Sequence, residues 1–372
     1  QQERVWNYSA DNQSTLYKTT VTNSTGSKAE RNIHTSVDVS GFGFEDARSG
    51  HAFEERTYTS SNQMIRRSLV EWVKNTDSVW GATSNARQIK RVEILLDTGG
   101  DAKAAITTSG YDNDLNQTSS DSYDYVSVVQ AAAQNSPIAA FSFGNLLRTE
   151  ETKFLVNDSS VGNRQLYRDR HLIALPSFSQ VKIGSTILAE TQFKYDEGSL
   201  LTYAATPTGW TDPGATTVRG NLTRTRRWMN VNGSTVSTYP NGSYLEAQAQ
   251  YDQLGNIRFA TDARGKTTET IYADNFSEAP VNRNTFAYPT QTLTPQPDPA
   301  GQFGSSTALT GSTQYEFKSG KVVSTTDANG QVAGYSYNIN ATNVEPLIRL
   351  TKITLPGALG ETIYAYSDNP GD

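Results

Sequence analysis

Two stretches of this chain carry the same punctuation 65 residues apart. The first reads Tyr251-Asp252-Gln253-Leu254-Gly255-Asn256-Ile257-Arg258, then Thr261-Asp262-Ala263-Arg264-Gly265, then a run ending at Tyr272. The second reads Tyr315-Glu316-Phe317-Lys318-Ser319-Gly320-Lys321-Val322-Val323, then Thr326-Asp327-Ala328-Asn329-Gly330, and ends at Tyr337. Gly255 and Gly320, Asp262 and Asp327, Gly265 and Gly330, and Tyr272 and Tyr337 all share the offset of 65. A fixed period marked by turn residues is the signature of one supersecondary unit used repeatedly. Asp at the first and Gly at the fourth position suit a type I turn. The carboxylate accepts the backbone N–H two residues on, and Gly supplies the positive φ that starts the return strand. Short runs of Val, Ile, Thr and Tyr on either side then pair as a hairpin. The Tyr at the far end packs its ring on neighbours and leaves its hydroxyl at a wet or hydrogen-bonded boundary. A single hairpin cannot bury both faces, so such units must stack side by side.

Weaker copies lie upstream. Asp97-Thr98-Gly99-Gly100 follows the apolar run Val92-Glu93-Ile94-Leu95-Leu96 and precedes Tyr111-Asp112. Asp46-Ala47-Arg48-Ser49-Gly50 has the turn with one extra residue, Gly220-Asn221-Leu222-Thr223 echoes Gly255-Asn256-Ile257-Arg258, and Tyr195-Asp196 and Tyr123-Asp124 supply further Tyr-Asp steps. Helix signals are nearly absent; the best, around Ala131-Ala132-Ala133-Gln134, runs into Pro137. The expected fold is all-β: tandem hairpins forming a continuous β-strip. Its expected parts are a polar extended arm with first strands over 1–50, a repeat strip over 51–278, a Pro/Gly-rich excursion over 279–306 with Pro280, Pro289, Pro295, Pro297 and Pro299, and a second strip over 307–372. The start on Gln1-Gln2 and the stop on turn-type residues at Asp372 read as a processed product or a piece of something longer.

Composition narrows the chemistry. Counted with Gly and without Tyr, about 37% of residues are apolar, against roughly 45–50% in ordinary globular domains. That shortage suits a strip with much wet area better than a deep multilayer core. With no Cys, disulfides, thiolate catalysis and Cys-bearing metal sites are excluded. Three scattered histidines, His34, His51 and His171, make a His-rich metal centre a poor expectation. A net charge of −6 gives no reason to expect nucleic acid, and no apolar run is long enough for a membrane span.

Several short motifs tempt and then yield to the repeat. Leu95-Leu96-Asp97-Thr98-Gly99 looks like an aspartic-protease loop, but no second copy exists to share a proton. Ala260 to Thr267 lacks the first Gly of a phosphate-cradling loop, and no helix follows it. Ser179-Gln180-Val181-Lys182 has the Ser-x-x-Lys spacing without its supporting elements. Asp112-Asn113-Asp114-Leu115-Asn116 alternates oxygen ligands like a calcium loop, yet Gln117 and Tyr123 stand where the Gly and the final acid belong. Arg219, Arg224, Arg226, Arg227 and Trp228 form the one basic cluster; Arg224 and Arg226 would share a strand face with Arg227 opposite, which reads as a solvated sheet face. Ten asparagines, Asn7, Asn12, Asn23, Asn116, Asn157, Asn221, Asn232, Asn241, Asn275 and Asn340, open Asn-x-Ser/Thr sequons. About five or six are expected by chance. They are candidate glycosylation sites on an extracellular surface, although a Thr-rich β-protein also generates sequons by composition alone.

At Tyr251 to Tyr272 and Tyr315 to Tyr337 the chain resembles the YD-repeat proteins of the RHS (rearrangement hotspot) family, whose pattern is Tyr-Asp, Gly-Asn, a strand, Asp-x-x-Gly and a strand ending near Tyr. The resemblance extends through Arg219-Gly220-Asn221-Leu222-Thr223-Arg224-Thr225-Arg226-Arg227-Trp228 and is recognisable from about residue 50. It implies a β-strip that spirals into a hollow shell, used by bacterial members to encapsulate a toxic C-terminal segment and found also in insecticidal toxin complexes and in teneurins. No Asp-Pro-x-Gly-Leu segment of the self-cleaving RHS core occurs here. Together these readings give a secreted or cell-surface structural scaffold with no catalytic residues, no cofactor and no metal, forming a fibre, stalk or shell. Its expected partners are copies of itself or a longer parent chain, and glycans. The alternatives are a shell fragment of a polymorphic toxin whose effector lies outside this chain, and a carbohydrate-binding adhesin using exposed Tyr and Trp such as Trp210 or Trp228. The repeat turns Asp97, Gly100, Asp262, Gly265, Asp327 and Gly330 and the repeat tyrosines Tyr111, Tyr195, Tyr251, Tyr272, Tyr315 and Tyr337 are its structural signature.

Overall fold

The computed structural model describes residues 7–13, 16–34, 46–76, 83–97, 99–214, 218–232, 235–338 and 345–366. Among the described residues the fold is nearly all antiparallel β. The chain divides into two compact units, Gln1–Gln192 with Trp228–Ser243, and Phe193–Arg227 with Tyr244–Asp372.

In the first unit each strand pairs antiparallel with its sequence neighbour. The strands are β1 (Asn7–Gln13), β2 (Leu16–Thr22), β3 (Lys28–His34), β4 (Ala52–Tyr58), β5 (Met64–Thr76), β6 (Thr83–Leu95), β7 (Ala102–Tyr111) and β8 (Gln117–Tyr123). The short β9 (Val126–Val128) doubles back onto β7, and β10 (Leu146–Phe154) takes the place beside β8. The ladder continues through β11 (Pro176–Ile183) and β12 (Thr186–Tyr195). Period-2 alternation puts Ala102, Ala104 and Ile106 of β7 on one face with Val92 and Ile94 of β6 and Leu69 of β5, all buried. A short helix, α1 (Gln130–Asn135), covers that face through Ala133, followed by Phe141.

One buried cation ties the cover down. Arg67 lies two residues from Leu69 on β5, so it points to the same face. Its Nε donates to Glu54 at 2.6 Å, and its Nη1 donates to the carbonyls of Ala133 (3.0 Å) and Ser136 (2.8 Å) at the C-terminal end of α1. The guanidinium therefore satisfies helix-end carbonyls that the short helix leaves unpaired. Burial opposes the charge on Glu54, but the hydrogen bonds of Arg67 and Arg56 outweigh it and hold its carboxyl below the usual range.

β13 (Leu222–Met229) and β16 (Ser243–Tyr251) run through the division between units, and a two-residue hairpin, β14 (Val231–Asn232) with β15 (Thr235–Val236), lies between them in sequence. From β16 the second unit is a ladder of sequential neighbours: β17 (Ile257–Thr261), β18 (Thr267–Ile271), β19 (Gln291–Leu293), β20 (Thr310–Tyr315), β21 (Val322–Thr326), β22 (Val332–Ser336), β23 (Lys352–Thr354) and β24 (Glu361–Ile363). The register repeats with the sequence. Phe259 faces Glu269 and Thr261 faces Thr267; 65 residues on, Ser324 faces Gly334 and Thr326 faces Val332. Within 279–306, β19 joins the ladder between β18 and β20. The segment before it supplies aromatic packing: Phe286 stacks on Tyr203 at 3.7 Å, and Tyr288 stacks on Tyr315 at 4.7 Å. Phe276 meets Phe317 edge-on at 5.1 Å. This unit is thus packed by rings more than by branched aliphatics.

Ile94 is fully buried under α1. Ile94→Ala should lower unfolding stability of the first unit by about 3 kcal/mol. A urea titration will show this as a lower midpoint at unchanged slope, whereas Leu188→Ala, half exposed on β12, should shift it by less than about 0.5 kcal/mol.

Candidate functional site

The repeat turns share one geometry. In Asp262-Ala263-Arg264-Gly265-Lys266 the Asp Oδ1 accepts the N–H of Arg264 and of Lys266, each at 2.9 Å. The Asp262 N–H donates to the Lys266 carbonyl, Gly265 donates to the Asp262 carbonyl, and Gly265 sits at φ 74°. Asp327 repeats this with Asn329 (2.8 Å), Gln331 (2.9 Å) and Gly330 at φ 77°. Asp252 does the same with Leu254 and Asn256, each at 2.9 Å, and Gly255 at φ 90°. So the Tyr-Asp turn and the Asp-x-x-Gly turn, distinct in sequence, are the same five-residue object. It is a type I turn with a left-handed fourth residue, a common hairpin connection.

Three further members were hidden in the sequence. Asp112 accepts the N–H of Asp114 and Asn116, each at 2.9 Å, with Leu115 at φ 68° in the glycine's place. The expected oxygen-rich loop is therefore a Tyr-Asp turn. Its second carboxylate, Asp114, is paired with Arg168 of helix α2 (Arg164–Asp169) at 2.6 Å. Asn23 performs the role with its amide oxygen, taking Thr25 (3.1 Å) and Ser27 (3.0 Å), and Thr59 performs it in part with its hydroxyl. Glu316, in the second strong copy, has a side chain one carbon longer and its turn has one residue more, with Glu316 N–H bonded to the Lys321 carbonyl at 2.8 Å. Between β6 and β7 the left-handed residue is Gly99 rather than Gly100, and Asp97 and Gly100 are exposed.

The repeat tyrosines do not converge. Tyr111, Tyr251, Tyr315 and Tyr337 each donate a hydroxyl to a backbone carbonyl, of Gln88, Leu222, Pro289 and Val322 respectively, all at 3.0 Å. Burial pushes the Tyr195 hydroxyl up to about 12 and raises that of Tyr272. The tyrosines rivet turns to strands at separate places.

The sequon asparagines divide by how their amides are used. Asn116 Nδ2 donates to Asp112 (3.1 Å) and to the Ile173 carbonyl (3.0 Å), Asn157 Nδ2 to Asp112 (2.8 Å), and Asn275 Nδ2 to the Thr313 carbonyl (3.1 Å). Asn221 Nδ2 is buried, and Asn241 is exposed. The side chains of Asn7, Asn12 and Asn232, and all of Asn340, lie outside the described residues. The basic cluster is dispersed: Arg224 pairs with Glu197 at 2.8 Å, Arg226 with Glu246 at 3.1 Å, and Arg227 is exposed. Lys182 of the Ser-x-x-Lys match is paired with Glu151. Among the described residues no group of three or more His, Asp or Glu side chains could hold a metal, and no helix is long and apolar enough to cross a membrane.

One turn departs from the rest, and a cavity of the second unit lies beside it. Tyr195-Asp196 and Gly220-Asn221 read as separate fragments of the pattern but fold as a single turn. The Asp196 carboxylate accepts the N–H of Arg219 (2.9 Å), Gly220 (2.9 Å) and Asn221 (3.0 Å), the Asp196 N–H donates to the Asn221 carbonyl, and Gly220 takes φ 76°. The chain between these halves leaves the ladder at Glu197 and rejoins it at Arg219, and residues 197–214 of this insertion are described. It is pinned by Leu201, which exchanges backbone hydrogen bonds with Tyr251 (2.9 Å) and Gln253 (2.8 Å), by the Tyr203 hydroxyl on Asp252, and by Thr208, which bonds Asn284 and Arg283 through backbone and hydroxyl, each at 2.8 Å. Between insertion and sheet lies a cavity of about 370 Å³, lined by Leu200, Thr202, Trp210, Asp212, Arg219, Asn221, Gln250, Tyr251 and Gln253 among others. Sequence reading missed it because nothing local links Trp210 to β16; the signal available was the unpaired Tyr-Asp and Gly-Asn halves at 195–196 and 220–221.

No family model and no curated protein matches the chain. Among solved structures it is similar to TcdB2-TccC3 without its hypervariable C-terminal region, with a TM-score of 0.52, 10% identity, and 94% of this chain aligned. A TcdB2-TccC3-TEV structure gives the same values. The chain spans 21% of the length of each. The likeness is one of fold.

The fully buried Asp252 accepts four hydrogen bonds, from two backbone N–H groups, the Asn256 amide and the Tyr203 hydroxyl. Asp252→Ala should destabilise the second unit by about 3 kcal/mol, read by thermal or urea unfolding. Acid should act through the same kind of bond. Burial raises the Asp158 carboxyl, but hydrogen bonds from Ser160, Ser177 and Lys153 prevail and hold it at about 2. At Asp262 the Lys266 N–H, then Arg264, lowers the carboxyl. With folded values below unfolded ones, the unfolded chain binds more protons on acidification. Stability should be flat above about pH 5 and fall as pH drops from about 4 toward 2. Melting curves across that range check it.

Proposed function

We propose that this chain is a non-enzymatic structural segment of the YD-repeat class, a strip of wall in a shell formed by a longer secreted or cell-surface protein. The observation that carries the reading is the recurrence of one saturated turn along an antiparallel ladder that aligns over 94% of its length with the TcdB2-TccC3 fold. The carboxylates of the Tyr-Asp and Asp-x-x-Gly turns accept backbone N–H groups, which supports a scaffolding role for them in place of acid–base chemistry. The chain spans 21% of the TcdB2-TccC3 chain, which supports a wall segment whose effector, if the parent carries one, lies elsewhere. The second reading, a self-assembling fibre or stalk, draws on the same stacked hairpins, because a hairpin ladder grows by adding units at either end.

Negative-stain electron microscopy of the full-length natural protein separates the two. Closed hollow particles, with a segment protected from added protease until the particle is unfolded, are the expected result. Concentration-dependent fibres would favour the second reading, and compact solid monomers would sink both.

A further inference from the structure

We propose that the cavity beside the Asp196 turn binds a neutral saccharide, with Trp210 as the stacking wall. The proposal goes beyond the structural reading and does not depend on it.

Trp210 differs from the other tryptophans that the structure describes. Trp72 stacks on His51 at 4.4 Å and donates its indole N–H to the Ala52 carbonyl; Trp228 packs against Tyr239 and donates to the Asn241 carbonyl. Trp210 is half-buried in the cavity wall and has neither a ring partner nor an indole acceptor among the described residues. The polar groups near it are also unengaged. The side chains of Ser199, Thr202, Gln250 and Gln253 line the cavity and make no side-chain hydrogen bond among the described residues. Two buried donors beside them, Arg219 Nε and Asn221 Nδ2, have no acceptor.

The electrostatics select against ions. Asp196 is saturated by three N–H groups, Glu197 is paired with Arg224, and Asp212 keeps one oxygen on the Gly214 N–H at 2.9 Å. Arg219 directs its Nη1 to the Gln253 carbonyl. Three carboxylates against two guanidiniums make a poor site for phosphate, sulfate or an acidic sugar, and the arginines oppose a cation. What fits is a neutral ligand with one apolar face and many groups that both donate and accept. A pyranose ring has that form: its C–H face meets the electron-rich indole, and its hydroxyls meet amides that offer both roles.

Size and rigidity agree. A second depression of about 320 Å³ adjoins the first and shares Glu197, Gly198, Ser199, Thr223 and Gln250 with it, giving room for two linked rings. The stretch of the insertion that leads to Trp210 is held at Leu201 and Thr208, which limits the ordering this part of the wall undergoes on binding.

The test is calorimetry with saturation-transfer NMR on the full chain, using maltose, cellobiose, lactose and N,N′-diacetylchitobiose as probes. At least one is expected to bind with Kd of about 1 mM. Trp210→Ala should weaken it roughly tenfold, Trp210→Phe should keep most of the affinity, and Phe303→Ser, on a distant exposed loop tip, should change nothing. If Trp210→Ala loses the wild-type melt, Gln250→Ala, at an exposed position of β16, replaces it, with a loss of about threefold expected. Failure of all four sugars to bind, binding indifferent to both Trp210 and Gln250, or stronger binding of inorganic phosphate at the same site would each overturn the proposal while leaving the shell reading intact.

Discussion

A side-chain oxygen that accepts the backbone N–H groups two and four residues further on is the contact the rest of this chain depends on. Each hairpin turn leaves such donors pointing inward, away from the ladder. At the fully buried Asp252, leaving one of them unpaired would cost about 1–3 kcal/mol; at the exposed Asp262 and Asp327 turns the bond instead selects the turn conformation. Asp112, Asp252, Asp262 and Asp327 all meet the requirement with one oxygen and the same distances to within 0.1 Å. Because the fourth residue is left-handed in every case, the strand leaves the turn in the same direction each time. A ladder of many short strands can stay in register only if its corners are this uniform.

Uniform corners explain why so little aliphatic core is needed. In the second unit strands of three to nine residues succeed one another, with rings such as Phe276, Phe286 and Tyr315 packed beneath them. The hydroxyls of Tyr251 and Tyr337 complete the pattern by reaching a strand carbonyl 3.0 Å away, which fixes the turn against the ladder. Only where strands lengthen to thirteen residues, at β5 and β6, does a conventional apolar face appear, and there a helix covers it.

Much of this was legible in the sequence. The 65-residue offset pointed to the hairpins and to the residues at the corners of its two strong copies, because turn chemistry is local and each residue type there has one physical job. What escaped reading was non-local or disguised. At Tyr111-Asp112 the sequence pointed to a turn, and what it left unread was that Leu115 takes the left-handed place of Gly255. Asn23, a sequon, and Thr59, an ordinary hydroxyl, carry the same acceptor as Asp and so do its work. The Arg67 contact to α1 joins residues 66 and 69 positions apart, which no local pattern encodes. The cavity was illegible for the same reason: it exists only because two halves of one turn close over an insertion.

That insertion shows how a repeat scaffold can acquire a site without losing its ladder. Asp252 reaches Gly255 in 3 steps, whereas Asp196 reaches Gly220 in 24. Lengthening a loop eightfold adds only about 2 kcal/mol of closure entropy. Asp196 offsets it by holding three N–H groups of the returning chain, one more than Asp262 or Asp327 holds in an uninterrupted turn. The ladder on either side therefore feels an ordinary corner, while the inserted residues are free to take side chains that the repeat has no use for. Trp210, unstacked and facing unengaged amides, is such a residue. Regularity at the corners is thus what allows irregularity, and with it a cavity, to be placed between them.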